Sequence, residues 1–325
     1  MHDSPIIAVT RRVPEAALEV LRTAGAVSLS EADRPLTPDE LREQAAGATA
    51  IVSMLHDRID GAVADAAGPS LRVVANVAVG YDNIDVAALA ERGVTVTNTP
   101  GVLTEATADL TFALLLAVTR RIGEGERLLR AKRPWSFHLG FMLGAGLQGR
   151  TLGIVGLGQI GQAVARRAKA FGMEIVYSGR SKADDRVEAE LGARRAGFDE
   201  LLAISDVVSL HCPLTPETRH LIDADALRAM KPSAYLVNTT RGPVVHEAAL
   251  AEALAHKQIA GAALDVFEHE PEVEPGLLDL DTVVLAPHLG SATVETRTEM
   301  AVLAAENVAA VLRGDPARTP VAPRS

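Results

Sequence analysis

Short runs of apolar residues recur along the chain, each followed by a turn and a stretch of helical periodicity. The first runs occupy residues 6–9, 51–55, 71–75 and 94–96, with a helix expected over 14–24. Pro14 suits the first position of that helix, where its missing N–H costs nothing, and Gly25 follows as a stop signal. A second series begins at Leu152-Gly153-Ile154-Val155 and continues at 174–177, 206–210, 234–237, 260–264 and 282–285. These runs are continuously apolar rather than alternating. Strands of that kind are covered on both faces, so the pattern predicts parallel sheets flanked by helices, the α/β class. Two such series in 325 residues predict two doubly wound domains.

Between the two series the periodicity predicts one long helix over 104–131. Its stretch Leu110-Thr111-Phe112-Ala113-Leu114-Leu115-Leu116 is too continuous for a surface helix and is expected to be buried between domains or subunits. A loop over 134–149 follows, holding Trp135, Phe137 and Phe141, and reads as a tucked core segment or a subunit contact. A last helix over 293–312 precedes a Pro/Arg tail expected to fray. Spacing leaves open which of the two series that helix closes.

Composition narrows the partners. Apolar residues make up 48% and charged residues 23% of the chain, so it is neither disordered nor fibrous as a whole. Aromatics are only 3%, which leaves a core of small aliphatic side chains. The 32 basic residues against 42 acidic ones give a net charge of −10, which repels phosphate backbones and argues against nucleic acid as a partner. A local basic pocket for a small anion remains compatible with that charge. The single Cys212 excludes an intrachain disulfide and a Cys-rich zinc site and fits a reducing compartment. Met1-His2-Asp3-Ser4-Pro5 does not resemble a signal peptide, and the longest apolar stretch, 110–118, is far below the ~18–20 residues that span a bilayer. A soluble cytoplasmic protein without a membrane or metal partner is therefore expected.

The strongest local motif is Gly156-Leu157-Gly158-Gln159-Ile160-Gly161, set between the strand 152–155 and a helix over 162–171. In that context Gly156 permits the tight turn, Gly158 lets the backbone approach a diphosphate, and Gly161 lets helix pack on strand. The helix N-terminus offers its N–H groups to the anion. After the next strand, an NAD site places an Asp or Glu on the ribose 2′-hydroxyl. Here Ser178-Gly179-Arg180-Ser181-Lys182 stands instead. Arg180 and Lys182 with two hydroxyls suit a 2′-phosphate, and no carboxylate repels it, so NADP(H) is expected over NAD(H). The plainer alternative for this loop is a solvated basic turn.

Among nine His, His288 is distinctive, because it follows the strand 282–285 at a carboxyl end, where open α/β sheets place ligands. Arg241 and Glu270 occupy equivalent places after the strands 234–237 and 260–264. Together they form a carbonyl-reduction set. An imidazolium can protonate an incipient alkoxide, a neighbouring carboxylate stabilises its charge, and an Arg can hold a 2-oxo acid by bidentate bonding. The alternative is three charged residues at loop ends.

Several stretches, in order along nearly the whole chain, carry a family resemblance. They are Asn76-Val77-Ala78-Val79-Gly80-Tyr81-Asp82-Asn83-Ile84-Asp85, Gly101-Val102-Leu103-Thr104-Glu105-Ala106-Thr107-Ala108-Asp109, the glycine motif, His211-Cys212-Pro213-Leu214-Thr215-Pro216-Glu217-Thr218, the Arg241 segment, residues 265–271 and Ala286-Pro287-His288. They resemble the D-isomer-specific 2-hydroxyacid dehydrogenases. Tyr177-Ser178-Gly179-Arg180 and the Trp135 to Gly144 stretch resemble the glyoxylate/hydroxypyruvate reductase branch of that family. The resemblance implies two Rossmann-like domains, a discontinuous substrate domain of 1–99 plus 289–325 and a dinucleotide-binding domain of 100–288. It implies Arg241, Glu270 and His288 as the catalytic set for NAD(P)H-dependent reduction of a small 2-oxo acid to the D-2-hydroxy acid.

The same resemblance has Asp265 bind the nicotinamide carboxamide and Thr104 face the cofactor, with Cys212, Pro213, Thr218, Thr239 and Gly290 among the further cofactor contacts. The N–H groups of Val79 and Gly80 would hold the substrate carboxylate as an anion nest, with Leu55 on the apolar side. It also implies a homodimer, in which Trp135 either helps shape a partner's substrate pocket or simply packs the interface. Glu270, where formate dehydrogenases carry Gln, and Val79, where phosphite dehydrogenases carry Lys, argue against those activities. Few residues follow the last helix, so the C-terminal regulatory domain of many phosphoglycerate dehydrogenases is not expected. Another D-2-hydroxyacid dehydrogenase, such as a phosphoglycerate dehydrogenase, and an NAD(H)-sensing corepressor-like binding protein stand as the alternatives.

Overall fold

The apolar runs form parallel strands in the computed structural model, which describes residues 4–32 and 34–323. Residues 1–3, with the signal-peptide reading placed on them and His2, and the last two residues of the tail lie outside the described residues. The chain divides into two units, Met1–Leu103 with Ala292–Ser325, and Thr104–Ser291.

The first unit runs β1 (Ile6–Val9), α1 (Glu15–Ala24), β2 (Ala26–Leu29), α2 (Pro38–Ala45), β3 (Ala50–Ser53), α3 (Gly61–Ala67), β4 (Val73–Asn76), α4 (Val86–Glu91) and β5 (Thr95–Thr97). Its sheet has the order β2-β1-β3-β4-β5. Ala8, Ile51, Val74 and Val96 face one core cluster, while Ile7, Val9, Val52 and Val73 face another. Burial on both faces is why these strands read as unbroken apolar runs.

The second unit continues with α5 (Thr104–Thr119), α6 (Ile122–Arg130), β6 (Thr151–Val155), α7 (Gln159–Ala170), β7 (Glu174–Ser178), α8 (Asp185–Leu191), β8 (Ala193–Arg195) and α9 (Phe198–Ile204). Then follow β9 (Val207–Leu210), α10 (Ala224–Ala229), β10 (Tyr235–Asn238), α11 (Glu247–Ala255), β11 (Gly261–Leu264), α12 (Pro275–Leu278) and β12 (Val283–Leu285). The strand order is β12-β11-β10-β9-β6-β7-β8, all parallel, so every carboxyl end opens on one edge. Strand order reverses between β6 and β9, with Leu152 opposite Val207 and Val155 opposite Leu210. That switch point is where doubly wound sheets open a ligand crevice.

The last helix, α13 (Val294–Arg313), returns to the first unit. Its Ala301, Ala304, Ala305 and Val308 pack with Leu18 and Leu21 of α1 against the sheet. Small side chains let that helix approach closely. The unit boundaries fall at 103/104 and 291/292, a few residues from those expected, because α5 starts at Thr104 and buries Ala108, Phe112 and Leu115 in the second core.

Five local expectations need correction. Pro14 is the N-cap of α1 rather than its first residue. The helix expected over 104–131 breaks at Arg121, whose backbone is left-handed (φ 54°) and whose guanidinium pairs with Glu124 at 2.7 and 2.8 Å. The 110–116 stretch is buried mainly within its own unit, against β6, α7 and β10. The tail does not fray through residue 321. The buried Asn307 accepts the N–H groups of Arg318 and Thr319 on its Oδ1, and Val321 N–H donates to Val96 O at 2.8 Å. Periodicity also missed β2 and β8. Both are edge strands with exposed positions, so they lack the apolar signature. No helix among the described residues is long and apolar enough to cross a membrane.

Candidate active site

At the switch point, the turn after β6 has its backbone pressed against the chain after β9. Gly156 adopts φ +97°, and a Cβ there would lie 2.8 Å from His211 C and Cys212 N. A side chain at Gly161 would meet Gly156 O at 2.3 Å, which is the close helix-to-strand approach expected of the third glycine. Gly158 differs. It is the N-cap of α7, makes no side-chain cap, and has open space where a Cβ would stand. Like α1, α6 and α9, helix α7 has no side-chain cap, so its first N–H groups, at Gln159 and Ile160, are left uncapped beside the glycine turn. A diphosphate fits this cradle through the backbone donors and the positive helix end.

The strand β7 ends at Ser178, and the following loop is closed by the buried Tyr177. Its hydroxyl accepts the Ala183 N–H at 2.9 Å and donates to Glu188. The loop presents Arg180 and Ser181 to solvent. Lys182 is less available than the sequence suggests, because its ammonium pairs with Asp185 at 2.5 Å and Glu188 at 3.3 Å. Arg195, at the end of the neighbouring β8, was missed. Its guanidinium donates to Gly179 O at 3.0 Å and adds a cation beside Arg180. The available signal was a basic pair closing a strand too short to be recognised.

Other expected cofactor residues are held in place from within the chain. Thr218 Oγ1 donates to Pro213 O at 2.6 Å and closes the turn after Cys212. Cys212 is buried, and burial pushes its thiol up to about 11, which keeps it protonated and unreactive. Burial also takes the neighbouring His211 down to about 3, so it stays neutral, bonded to Ser209 Oγ at 2.8 Å. The Thr239 hydroxyl meets that of Thr111 on α5 at 2.9 Å. Thr104 begins α5.

Three adjacent strands deliver the catalytic candidates. After β10, Asn238 donates through Nδ2 to Arg241 O at 3.0 Å and accepts the Thr240 N–H, which bends the chain at Arg241. The Arg241 guanidinium donates to Thr240 O at 2.9 Å. The next residue, Gly242, lies directly against the Phe267 and Glu268 backbone that follows β11. In that second loop, the Phe267 N–H donates to Glu270 Oε1 at 3.1 Å. After β12, His288 Nδ1 lies 2.9 and 3.1 Å from the two Glu270 oxygens. Nδ1 therefore faces the carboxylate, and Nε2 is the nitrogen turned away from it.

His288 has φ +54°, a conformation that costs a non-glycine residue about 1 kcal/mol or more. Asp265 holds it there. This residue is 1% exposed, its carbonyl accepts the His288 N–H at 2.8 Å, and its carboxylate accepts the N–H groups of Leu289 at 2.6 Å and Gly290 at 2.8 Å. Burial pushes the Asp265 carboxyl up, against the opposing pull of those two donors and of His288. This structural role was not visible in sequence.

The remaining expected contacts lie in the first unit. Leu55 sits in the loop after β3, which buried Asp57 closes by accepting the Met54 N–H at 2.7 Å. Val79 and Gly80 form the turn after β4. Their carbonyls are drawn inward by Asn98 and Asn76, at 2.8 and 2.9 Å, and their N–H groups meet no acceptor among the described residues. That leaves two adjacent donors for an anion. Trp135 is 56% exposed and stacks on Phe141 in a loop that also exposes Phe137 and Leu139, so the reading of this loop as tucked core is wrong. Among the described residues no cluster of acidic, His or Cys side chains suits a metal.

Comparison with known proteins agrees with this layout. Residues 112–290 match the family model of the D-isomer specific 2-hydroxyacid dehydrogenase, NAD binding domain. The chain is 49% identical to the glyoxylate reductase of Thermococcus onnurineus, covering 96% of this chain and 94% of the relative. A crystal structure of a Thermus thermophilus protein superposes with a TM-score of 0.90 at 46% identity, covering 98% of this chain and all of that one. The NADPH-dependent glyoxylate/hydroxypyruvate reductase of Sinorhizobium meliloti, solved with NADP and malonate, gives a TM-score of 0.86 at 37% identity, over 99% of this chain and all of that one. With its two parallel sheets, glycine turn and His–Glu pair, this chain belongs to the D-isomer specific 2-hydroxyacid dehydrogenases.

Proposed function

We propose that this protein reduces small 2-oxo acids, glyoxylate and hydroxypyruvate foremost, to D-2-hydroxy acids with NADPH. The observation that carries the reading is the His288–Glu270 pair, held at the same sheet edge as Arg241 and the uncapped glycine turn. We assign the second unit to the dinucleotide and the first to the substrate. A bound dihydronicotinamide supplies the hydride. Arg241 orients the 2-oxo acid and polarises its carbonyl, while the Val79 and Gly80 N–H groups take its carboxylate. His288 delivers the proton from Nε2 to the developing alkoxide, and Glu270 balances the imidazolium charge. Asp265 both sets the His288 loop and keeps lone pairs for the nicotinamide carboxamide. The lone, buried Cys212 suits a reducing cytoplasm.

NADP(H) preference rests on the loop after β7, where Ser178-Gly179-Arg180-Ser181-Lys182 holds no carboxylate and Arg180 is presented with Ser178, Ser181 and Arg195. A steady-state scan of glyoxylate, hydroxypyruvate, pyruvate and phosphohydroxypyruvate with both cofactors tests both parts. The expected result is highest kcat/KM with the first two acids and at least about a tenfold NADPH preference, which Arg180→Ala reduces by about tenfold. Strong NADH preference overturns the cofactor assignment. Absence of turnover with every acid, while cofactor still binds, favours the corepressor alternative.

The same family reading makes the protein a homodimer through its exposed apolar segment. Ile122, Leu129, Trp135, Phe137, Leu139 and Leu143 all lie within residues 122–143 and are each more than half exposed. Such a concentration is unusual on a monomer surface. Light scattering is expected to give about 68 kDa, twice the 34.2 kDa chain. The double variant Phe137→Asp with Leu139→Asp is expected to run as a monomer. A wild-type monomer at micromolar concentration would remove the interface.

A further inference from the structure

We propose that Glu247 is a positioning residue for the reaction, its buried carboxylate fixing the loop that carries Glu270. The proposal rests on the reading that Glu270 and His288 perform the chemistry.

Glu247 opens α11 and is only 4% exposed. Its Oε1 accepts the Glu268 N–H at 2.5 Å and its Oε2 accepts the Glu274 N–H at 3.3 Å. These two donors bracket Glu270, so one carboxylate ties down both shoulders of the segment. The tie is reciprocal, because the Glu247 N–H donates to Glu268 Oε2 at 3.4 Å. Glu268 is braced in turn by His220 Nε2 at 2.5 Å and more loosely by Arg219 at 3.8 Å, while the His220 ring rests against His246 at 4.7 Å.

An apolar residue would fill this space without the desolvation of a carboxylate. Burial and the nearby Glu268 and Glu274 charges raise the Glu247 carboxyl, opposed by the two backbone donors. Those donors are what the carboxylate adds over a hydrophobic plug. They fix the loop backbone, and through it the angle at which Glu270 meets His288 Nδ1. First-turn placement on α11 stabilises the anion further. A misplaced Glu270 leaves the imidazolium less well supported while the substrate and cofactor contacts stay intact.

The test compares full-length wild type, Glu247→Gln, Glu247→Asp and Glu270→Gln, all with NADPH and glyoxylate. Glu247→Gln removes one of the two acceptors with little change in shape. Its kcat is expected to fall about tenfold, with the glyoxylate KM and the NADPH Kd within about twofold of wild type. The high-pH fall of its kcat profile is expected to move to lower pH, and Glu247→Asp is expected to recover part of both changes. A folded Glu247→Gln with wild-type kcat and pH profile overturns the proposal, whatever its Tm. So does a loss in which KM or Kd moves in step with kcat. If Glu247→Gln does not fold, Glu247→Asp decides by the same criteria. If Glu270→Gln itself leaves kcat and profile unchanged, the reading of the active site fails instead.

Discussion

Replacing His288 with asparagine is expected to lower kcat for 2-oxo acid reduction by about 10³-fold, with KM changed by less than about threefold. The imidazole is the group placed to give up a proton, and an amide can donate a hydrogen bond but not the proton itself. Asparagine is the informative replacement because it tolerates the left-handed backbone that His288 occupies at φ +54°. The Asp265 bonds to residues 288, 289 and 290 can therefore persist, and Tm should stay near that of wild type. The loss should also hold across pH, since no titrating acid remains at that position. Steady-state kinetics with saturating NADPH and a fluorescence titration of the cofactor separate the two effects. A variant with unchanged kcat removes His288 from the chemistry. A variant that loses NADPH binding in parallel shows that the loop, rather than the acid, was damaged.

The expectation could be framed from sequence because each catalytic candidate lies within a few residues of the end of an apolar run. Parallel strands put all such positions on one edge, which made Arg241, Glu270 and His288 candidates, while the family resemblance was needed to raise them above charged residues at loop ends. The His288–Glu270 contact is what the fold adds. The glycine turn was legible for the same reason, since strand, turn and helix adjoin in the chain. What escaped depends on side-chain contacts that no hydrophobic pattern encodes, or on local breaks in periodicity. Glu247 reads as an ordinary acidic residue in the first turn of a helix, until Glu268 and Glu274 are seen to donate to it. Lys182 reads as a free cation until α8 brings Asp185 and Glu188 to it. Arg195 belongs to an edge strand whose Ala-Arg-Arg sequence carries no strand signal. The tail looks like loose chain, yet Asn307 captures it from within α13. The break at Arg121 lies between two stretches of good helical pattern, and only its own φ marks it.

Gly242→Ala is the second large effect, and it arises from one methyl group. The Gly242 backbone lies outside the left-handed region, so alanine meets no conformational penalty there. The obstacle is steric. A Cβ would stand 1.8 Å from both C and O of Phe267 and 2.4 Å from Glu268 N. Those are main-chain atoms and no rotamer change can relieve them. Ordinary contact requires the 267–268 backbone, or the Arg241 turn, to retreat by about 1.5 Å in a close-packed interior. Either movement strains the site, because the same backbone donates to Glu247 from Glu268 and precedes Glu270, while Gly242 follows Arg241. Overpacking of this kind should cost about 1–3 kcal/mol of stability. Displacement of the Arg241 turn or the Glu270 loop by that amount should lower kcat/KM by at least about 10²-fold. Gly314→Ala supplies the contrast. Gly314 caps α13 at φ +90° with open space around it, so alanine there should cost about 1 kcal/mol through backbone strain alone. Its kcat and KM should remain those of wild type. Parallel thermal melts and steady-state kinetics distinguish the two glycines, one needed for the close approach of two catalytic loops and the other for a helix end. If Gly242→Ala loses stability yet keeps wild-type turnover, the contact between those loops does not set the catalytic geometry.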